Sequence, residues 1–171
     1  MSEIETKATS PFWRFSLNFY RQAGVSDACI ALQDGCGVDV NLLLFLLWLA
    51  SEGRQVSPQE VKKFDDGVRS WRELTIVPIR DTRRKLKGAA TLVDPGQQEA
   101  FRNKVKAVEL EAEQLQQEAL YNFTKSGPLG TRAAPRNAAR ANVAAYAAAM
   151  GQNFPGGAVD LLAAGFDAVA G

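Results

Sequence analysis

The sequence predicts an all-α protein, a single bundle-like helical domain around one buried central helix, and three observations carry that reading. Every residue from Leu42 to Ala50 is apolar between polar flanks, Asp39 and Asn41 on one side and Ser51 and Glu52 on the other. A helix that is apolar around its whole circumference must be enclosed, and this run is far below the roughly 18–20 residues that a membrane span requires. Further stretches repeat apolar residues at spacings of three and four, and none alternates apolar with polar residues as a half-buried strand does.

The elements follow in order. Ser10 and Pro11 have the chemistry of a helix start, and Phe12, Phe15 and Phe19, with Trp13 and Tyr20, form an aromatic stripe at helical spacing, so a first helix runs toward Gly24. Ser26 and Asp27 are placed to cap a short second helix, Ala28 to Gln33, which should stop at Gly35-Cys36-Gly37. Asp39 caps the core helix and Gly53 ends it. Ser57-Pro58-Gln59-Glu60 is a capping box with proline at the first helical position. From there Val61, Phe64, Val68, Trp71, Thr75, Pro78, Ile79, Thr82 and Leu86 keep one phase, predicting a helix on the order of 45 Å long that Pro78 should kink.

After a loop from Gly88 to Gly96, Phe101, Val105, Val108, Ala112, Leu115 and Ala119 hold the same spacing, so a further amphipathic helix reaches about Phe123 and should pair antiparallel with the long one. Gly127 to Thr131 reads as a linker. Beyond it the composition shifts to alanine, glycine and proline, with helices expected near Pro135 to Met150 and Gly157 to Ala170. Small side chains bury little area, so this tail is expected to hold weakly, either mobile or docked elsewhere. The expected organisation is a disordered N-terminus over 1–10, a helical domain over 11–125, and a linker and Ala/Gly-rich tail over 126–171.

Composition narrows the function classes. A chain of 171 residues is long enough to bury one core. Its net charge of +1 argues against nucleic acid as the main partner. There is no histidine, which removes the commonest general base and metal ligand. Cys29 and Cys36 do not suggest a disulfide framework, and the polar N-terminus lacks the basic and apolar regions of a signal peptide. A cytoplasmic location is the expectation.

The leading candidate for function is the polar face of the long helix. At about 100° per residue, Lys62, Arg69, Arg72, Arg80, Arg83, Arg84 and Lys87 fall within about 120° of one another, opposite the apolar stripe. Guanidinium groups suit phosphate or carboxylate because their planar fork donates two parallel hydrogen bonds. Arg69, Arg72, Arg80, Arg83, Arg84 and Lys87 are therefore the candidate partner- or anion-binding residues, with the least compensated charge between Arg80 and Lys87. The competing reading is a solvated face neutralised by Asp65, Asp66, Glu73 and Asp81, with flank contacts to Glu109, Glu111, Glu113 and Glu118. Changing Arg80, Arg83 and Arg84 together to glutamine is expected to leave folding intact and abolish binding. No catalytic, cofactor or metal residue is assigned, and no cofactor is expected.

Phe12-Trp-Arg-Phe-Ser-Leu-Asn-Phe-Tyr20, Ala31-Leu-Gln-Asp34, Asp39-Val-Asn-Leu-Leu-Leu-Phe45 with Trp48, Trp71-Arg-Glu73, Val77-Pro-Ile-Arg80 and Arg83-Arg-Lys-Leu-Lys87 resemble a family of small proteobacterial helical proteins of unknown function, over about residues 11–120. That resemblance implies a small helical fold and supplies no reaction. A fainter similarity runs to helical prenyl-diphosphate synthases, and it implies a Mg²⁺-dependent enzyme or a lipid-binding relative using Asp34, Asp39, Asp65 and Asp66. The aspartates here depart from that family's spacing: Asp34 and Asp39 are separated by glycines, and Asp65-Asp66 lacks a matching following carboxylate. The favoured expectation is a noncatalytic binding or adaptor protein that meets an acidic protein or anion. Contact of the alanine-rich tail with a membrane surface is the further alternative.

Overall fold

The structure, a computed structural model, describes residues 9–88 and 92–170, so the expectation of disorder over 1–10 lies almost wholly outside the described residues. The fold is all-α. Its helices are α1 (Pro11–Tyr20), α2 (Val25–Cys36), α3 (Val40–Ser51), α4 (Pro58–Trp71), α5 (Val77–Gly88), α6 (Pro95–Tyr121), α7 (Pro135–Met150) and α8 (Gly156–Val169). Two short strands that the sequence did not reveal, β1 (Arg54–Gln55) and β2 (Thr131–Arg132), pair antiparallel with Arg54 opposite Arg132. They are too short to show an alternating pattern.

α3 is the axle. Every residue from Asn41 to Ala50 is buried, and Phe45 stands at the centre of an aromatic cluster with Phe12, Trp48 and Phe64. The expected caps are present: Ser10 Oγ accepts from the Trp13 N–H at 3.1 Å, and Asp39 Oδ1 accepts from the Asn41 N–H at 3.0 Å. At the head of α4, Ser57 and Glu60 exchange both capping-box bonds.

The second helix departs from expectation at both ends. It begins at Val25 after Gly24, whose φ is +79°, so Ser26 and Asp27 lie inside its first turn and do not cap it. It also runs through Gly35 to Cys36. Gly35 keeps a helical backbone, and only Gly37, with φ +70°, takes the left-handed conformation that ends a helix.

α4 and α5 form one continuous rod interrupted by a π turn over Arg72–Ile76, in which the Val77 N–H reaches back five residues to the Arg72 carbonyl. The wider turn stands just before Pro78, whose ring crowds the carbonyl four residues back and which has no N–H to offer it. The rod pairs antiparallel with α6 and the 3₁₀ turn Asn122–Ser126 that follows it: Phe64 meets Phe123 of that turn, Trp71 Nε1 donates to the Ala112 carbonyl at 2.9 Å, and Gln98 Nε2 donates to the Leu86 carbonyl at 3.2 Å.

The face that α6 turns inward differs from the one its apolar spacing predicts. Glu109, Ala112, Gln116, Gln117 and Leu120 are buried, while Phe101, Val108 and Leu115 are exposed. The polar residues recur at the same helical period as the apolar ones, and polar partners on α1, α3 and the rod bond to them. Those partners decide which face is covered.

Residues 126–170 supply the other main wall of the core. α7 lies along α3 and α8 lies on α2, with Ala138, Ala139, Val143, Tyr146, Leu162 and Phe166 buried. Of the two outcomes expected for this alanine-rich segment, mobile or docked, the described residues take the docked one. Alanines let the backbone of α7 approach α3 closely, and the side chain of Asn142 locks the contact. Its Oδ1 accepts from the Val56 N–H at 2.8 Å, and its Nδ2 donates to the carbonyls of Leu46 at 2.9 Å and Arg54 at 3.0 Å.

Candidate functional site

The C-terminal end of α2, the head of α3 and the rod enclose a cleft of about 240 Å³, walled by Asp34, Gly37, Val38, Asp39, Arg72, Ile76, Val77, Arg80, Asp81 and Arg84. Gly37 turns the chain out of α2 and lets Asp39 start α3 at the cleft's inner end. The π turn presents Arg72 to the same place. Its Nη1 donates to Asp39 Oδ2 at 2.7 Å and to Asp65 Oδ1 at 2.8 Å.

This inner end is a buried polar network, in which Gln116 Oε1 is left without a hydrogen-bond partner among the described residues. Asp39 Oδ2 also accepts from Gln116 Nε2, and the Asp39 N–H donates to the Tyr146 hydroxyl at 2.9 Å. Gln117 connects Ser16 to Asn41: Ser16 Oγ donates to its Oε1 at 3.0 Å, and its Nε2 donates to Asn41 Oδ1 at 2.9 Å. Asn41 thus bonds across the core through its side chain. Burial works against the Arg72 charge, but Asp39 and Asp65 outweigh it and hold its pKa above the ordinary value. Burial likewise opposes the Asp65 charge, and hydrogen bonds from Arg69 and Arg72 hold that carboxyl below its ordinary range. The Tyr146 hydroxyl is pushed up, first by burial and then by the Asp39 charge.

The six candidate basic residues do not share one open surface. Arg69 folds along its own helix onto Asp65 at 2.6 Å and Asp66 at 2.9 Å. Arg72 is consumed by the inner network. Arg80 and Arg83 face α6, where Arg80 donates to Glu109 at 3.0 Å and Glu113 at 2.8 Å, and Arg83 donates to Glu109. Burial raises the Glu109 pKa but the two arginines overcome it, so the carboxyl is held low; at Glu113 burial prevails over Arg80 and the pKa is raised. Arg80 and Arg83 therefore join the rod to α6, so changing them with Arg84 would break these ion pairs as well as alter the Arg84 side chain.

Arg84 differs. Its only ion pair among the described residues is with Asp34 at 3.3 Å, and both side chains are about half exposed, 47% and 51%. Lys87 is exposed one turn further on. Arg72, Arg80 and Arg84 are thus brought together on one cleft, while Arg69, Arg83 and Lys87 are not in its wall.

The four aspartates considered for Mg²⁺ are divided among arginines: Asp34 on Arg84, Asp39 and Asp65 on Arg72, and Asp65 and Asp66 on Arg69. Among the described residues no three carboxylates or thiols are grouped as metal ligands would be. Cys29 is buried, which pushes its thiol up to about 12. No helix among the described residues is long and apolar enough to cross a membrane.

The arginine-linked cleft and its network draw on α1 through α6, and residues 11–120 match the family model described as Protein of unknown function (DUF2390). The chain belongs to that family. Comparison with curated proteins and with solved structures gave no match. In this DUF2390 chain the matched segment stops at Leu120, yet Tyr146 and Asn142, which complete the network at Asp39 and the clamp on α3, come from α7 beyond it.

Sequence reasoning missed Gln116, Gln117, Asn142 and Tyr146. A signal existed for each pair. Gln116 and Gln117 continue the period of Glu109 and Glu113, and Asn142 and Tyr146 stand four apart in an alanine run, where two large polar side chains on one helix face have few reasons to occur.

Proposed function

We propose that this protein works by binding rather than by catalysis, as an adaptor of the bacterial cytoplasm that takes an anionic group, a carboxylate of an acidic protein or a free anion, at the cleft rim formed by Arg84. The observation that carries the reading is the exposed Arg84–Asp34 pair at the mouth of the cleft. An exposed ion pair contributes about 0–1 kcal/mol, so an incoming anion can displace Asp34 from Arg84 at little cost. Breaking the buried Arg72 or Glu109 pairs costs about 3–5 kcal/mol, which leaves those arginines as scaffold. Lys85 and Lys87, exposed in the last turn of α5, add local positive charge.

Other features agree with this reading. The chain has no histidine, and Asp65, Glu99 and Glu109, whose carboxyls are held below their ordinary range, are engaged by arginine. Most large apolar side chains of α7 and α8, Val143, Tyr146, Leu162 and Phe166 among them, are turned into the protein's own core, with Leu161 left exposed, which favours an anionic or protein partner over a membrane surface. A net charge of +1 gives no broad field for nucleic acid.

Calorimetric titration of the full chain with pyrophosphate and with a short polyglutamate peptide tests the proposal. Binding that weakens with salt and is lost in Arg84→Gln/Lys87→Gln, with the melting temperature unchanged, supports it. No binding by the natural chain, or equal binding by the variant, overturns it.

A further inference from the structure

The outer face of α6 carries an apolar seam that the rest of the described protein covers only along one edge. Phe101, Val105, Val108, Ala112, Leu115 and Ala119 alternate spacings of four and three, which is the 3.5-residue repeat of a coiled coil. Within it, Ala112 is buried and Val105 partly covered, whereas Phe101, Val108 and Leu115, spaced by seven, are 57%, 51% and 49% exposed. One edge of the seam is bounded by the rod, where the half-exposed Trp71 reaches the Ala112 carbonyl. The other edge carries Lys104 and Glu111, both exposed and seven residues apart.

We infer that this seam is a self-association surface, on which α6 of a second copy of the chain lies antiparallel about a two-fold axis at Val108. The charge pattern selects that occupant. With the axis at Val108, Phe101 faces the partner's Leu115 and Val108 faces itself. Lys104 comes within about 1.5 Å, one residue rise, of the level of the partner's Glu111, and the symmetry operation supplies the same pair twice. In an antiparallel pair each flank meets the same flank of the partner, so the free Lys104/Glu111 edge is self-complementary. A parallel pair would turn that edge toward the opposite flank, where Glu109 is already held by Arg80 and Arg83. The result is a four-helix bundle of two rod–α6 hairpins, and the cleft at Arg84 is not required for it.

Sedimentation equilibrium of the full chain over a concentration series tests this. The natural chain is expected to approach twice its 18.6 kDa mass as concentration rises. Val108→Glu, which sets two carboxylates against each other at the axis, is expected to remain at the single mass with an unchanged circular dichroism spectrum, since Val108 is on the surface. Lys104→Glu should weaken the dimer at least tenfold, and Lys104→Glu/Glu111→Lys should restore it. A natural chain that stays monomeric throughout would assign the seam to another partner and overturn the inference. Association that persists in Val108→Glu, or that the double exchange fails to restore, would overturn it equally.

Discussion

The Asp39 carboxylate and the Arg72 guanidinium meet at 2.7 Å below the surface, tying the first turn of α3 to the π turn of the rod. Asp39 also caps α3 and accepts from Gln116, so one carboxylate joins three helices. Asp39→Ala should therefore lose about 3–5 kcal/mol, the cost of stranding a buried charge, read from urea unfolding. Asp39→Asn keeps a good cap and should lose less. A loss below about 1 kcal/mol for the alanine variant would show that the pair contributes little.

The Glu109 carboxyl is held below its ordinary value, so its contribution is present above the unfolded-state pKa and disappears as pH falls through the lower folded value. Glu109→Gln should accordingly lower the melting temperature most near neutral pH, and the difference from the natural chain should shrink below the ordinary carboxylate range. Glu113 has the opposite sign: its pKa is raised by burial, so it favours the fold when protonated and loses that contribution as pH rises. Glu113→Gln should be the milder substitution at neutral pH. Thermal melts of both variants across the acid range check the two signs together.

Leu46 is fully buried in α3. Leu46→Ala should cost about 2–5 kcal/mol, and Leu46→Asp, which would bury an unpaired charge, should give no cooperative unfolding transition. A soluble, cooperative aspartate variant would mean that α3 is not central.

Asn142 satisfies three backbone groups of the segment that includes α3 and β1. Asn142→Ala should cost at least about 1–3 kcal/mol, the penalty for one stranded buried group, and removal of residues after Ser126 should leave a chain that aggregates because α7 no longer covers α3. Light scattering of the truncated chain and denaturant unfolding of Asn142→Ala measure the two effects.

Two helical glycines should respond oppositely to alanine. Gly35 has open space where a Cβ would sit, so Gly35→Ala should stabilise α2 by about 0.5–1 kcal/mol. At Gly165 the added Cβ would overlap the Val25 side chain, and Gly165→Ala should cost about 1–3 kcal/mol through overpacking. Differential scanning calorimetry distinguishes the two directions.

Much of this fold was legible in the chain itself, because its signals are local. The all-apolar run from Leu42 to Ala50, the Ser10 and Asp39 caps, the Ser57–Glu60 box and the antiparallel pairing of the rod with α6 depend on residues a few positions apart or on one sustained period. Other outcomes needed the third dimension. That α7 walls the core follows from the closeness alanines permit and from Asn142 finding acceptors 88 and 96 residues away in sequence. That α6 buries its polar stripe follows from Gln117 meeting Asn41, and from Arg80 and Arg83 meeting Glu109. A helical period allows neighbouring stripes on one helix, and which of them is covered depends on partners brought from elsewhere in the chain. For the same reason the basic ridge, continuous on paper, is divided in space into structural arginines and the single exposed pair of Arg84 with Asp34.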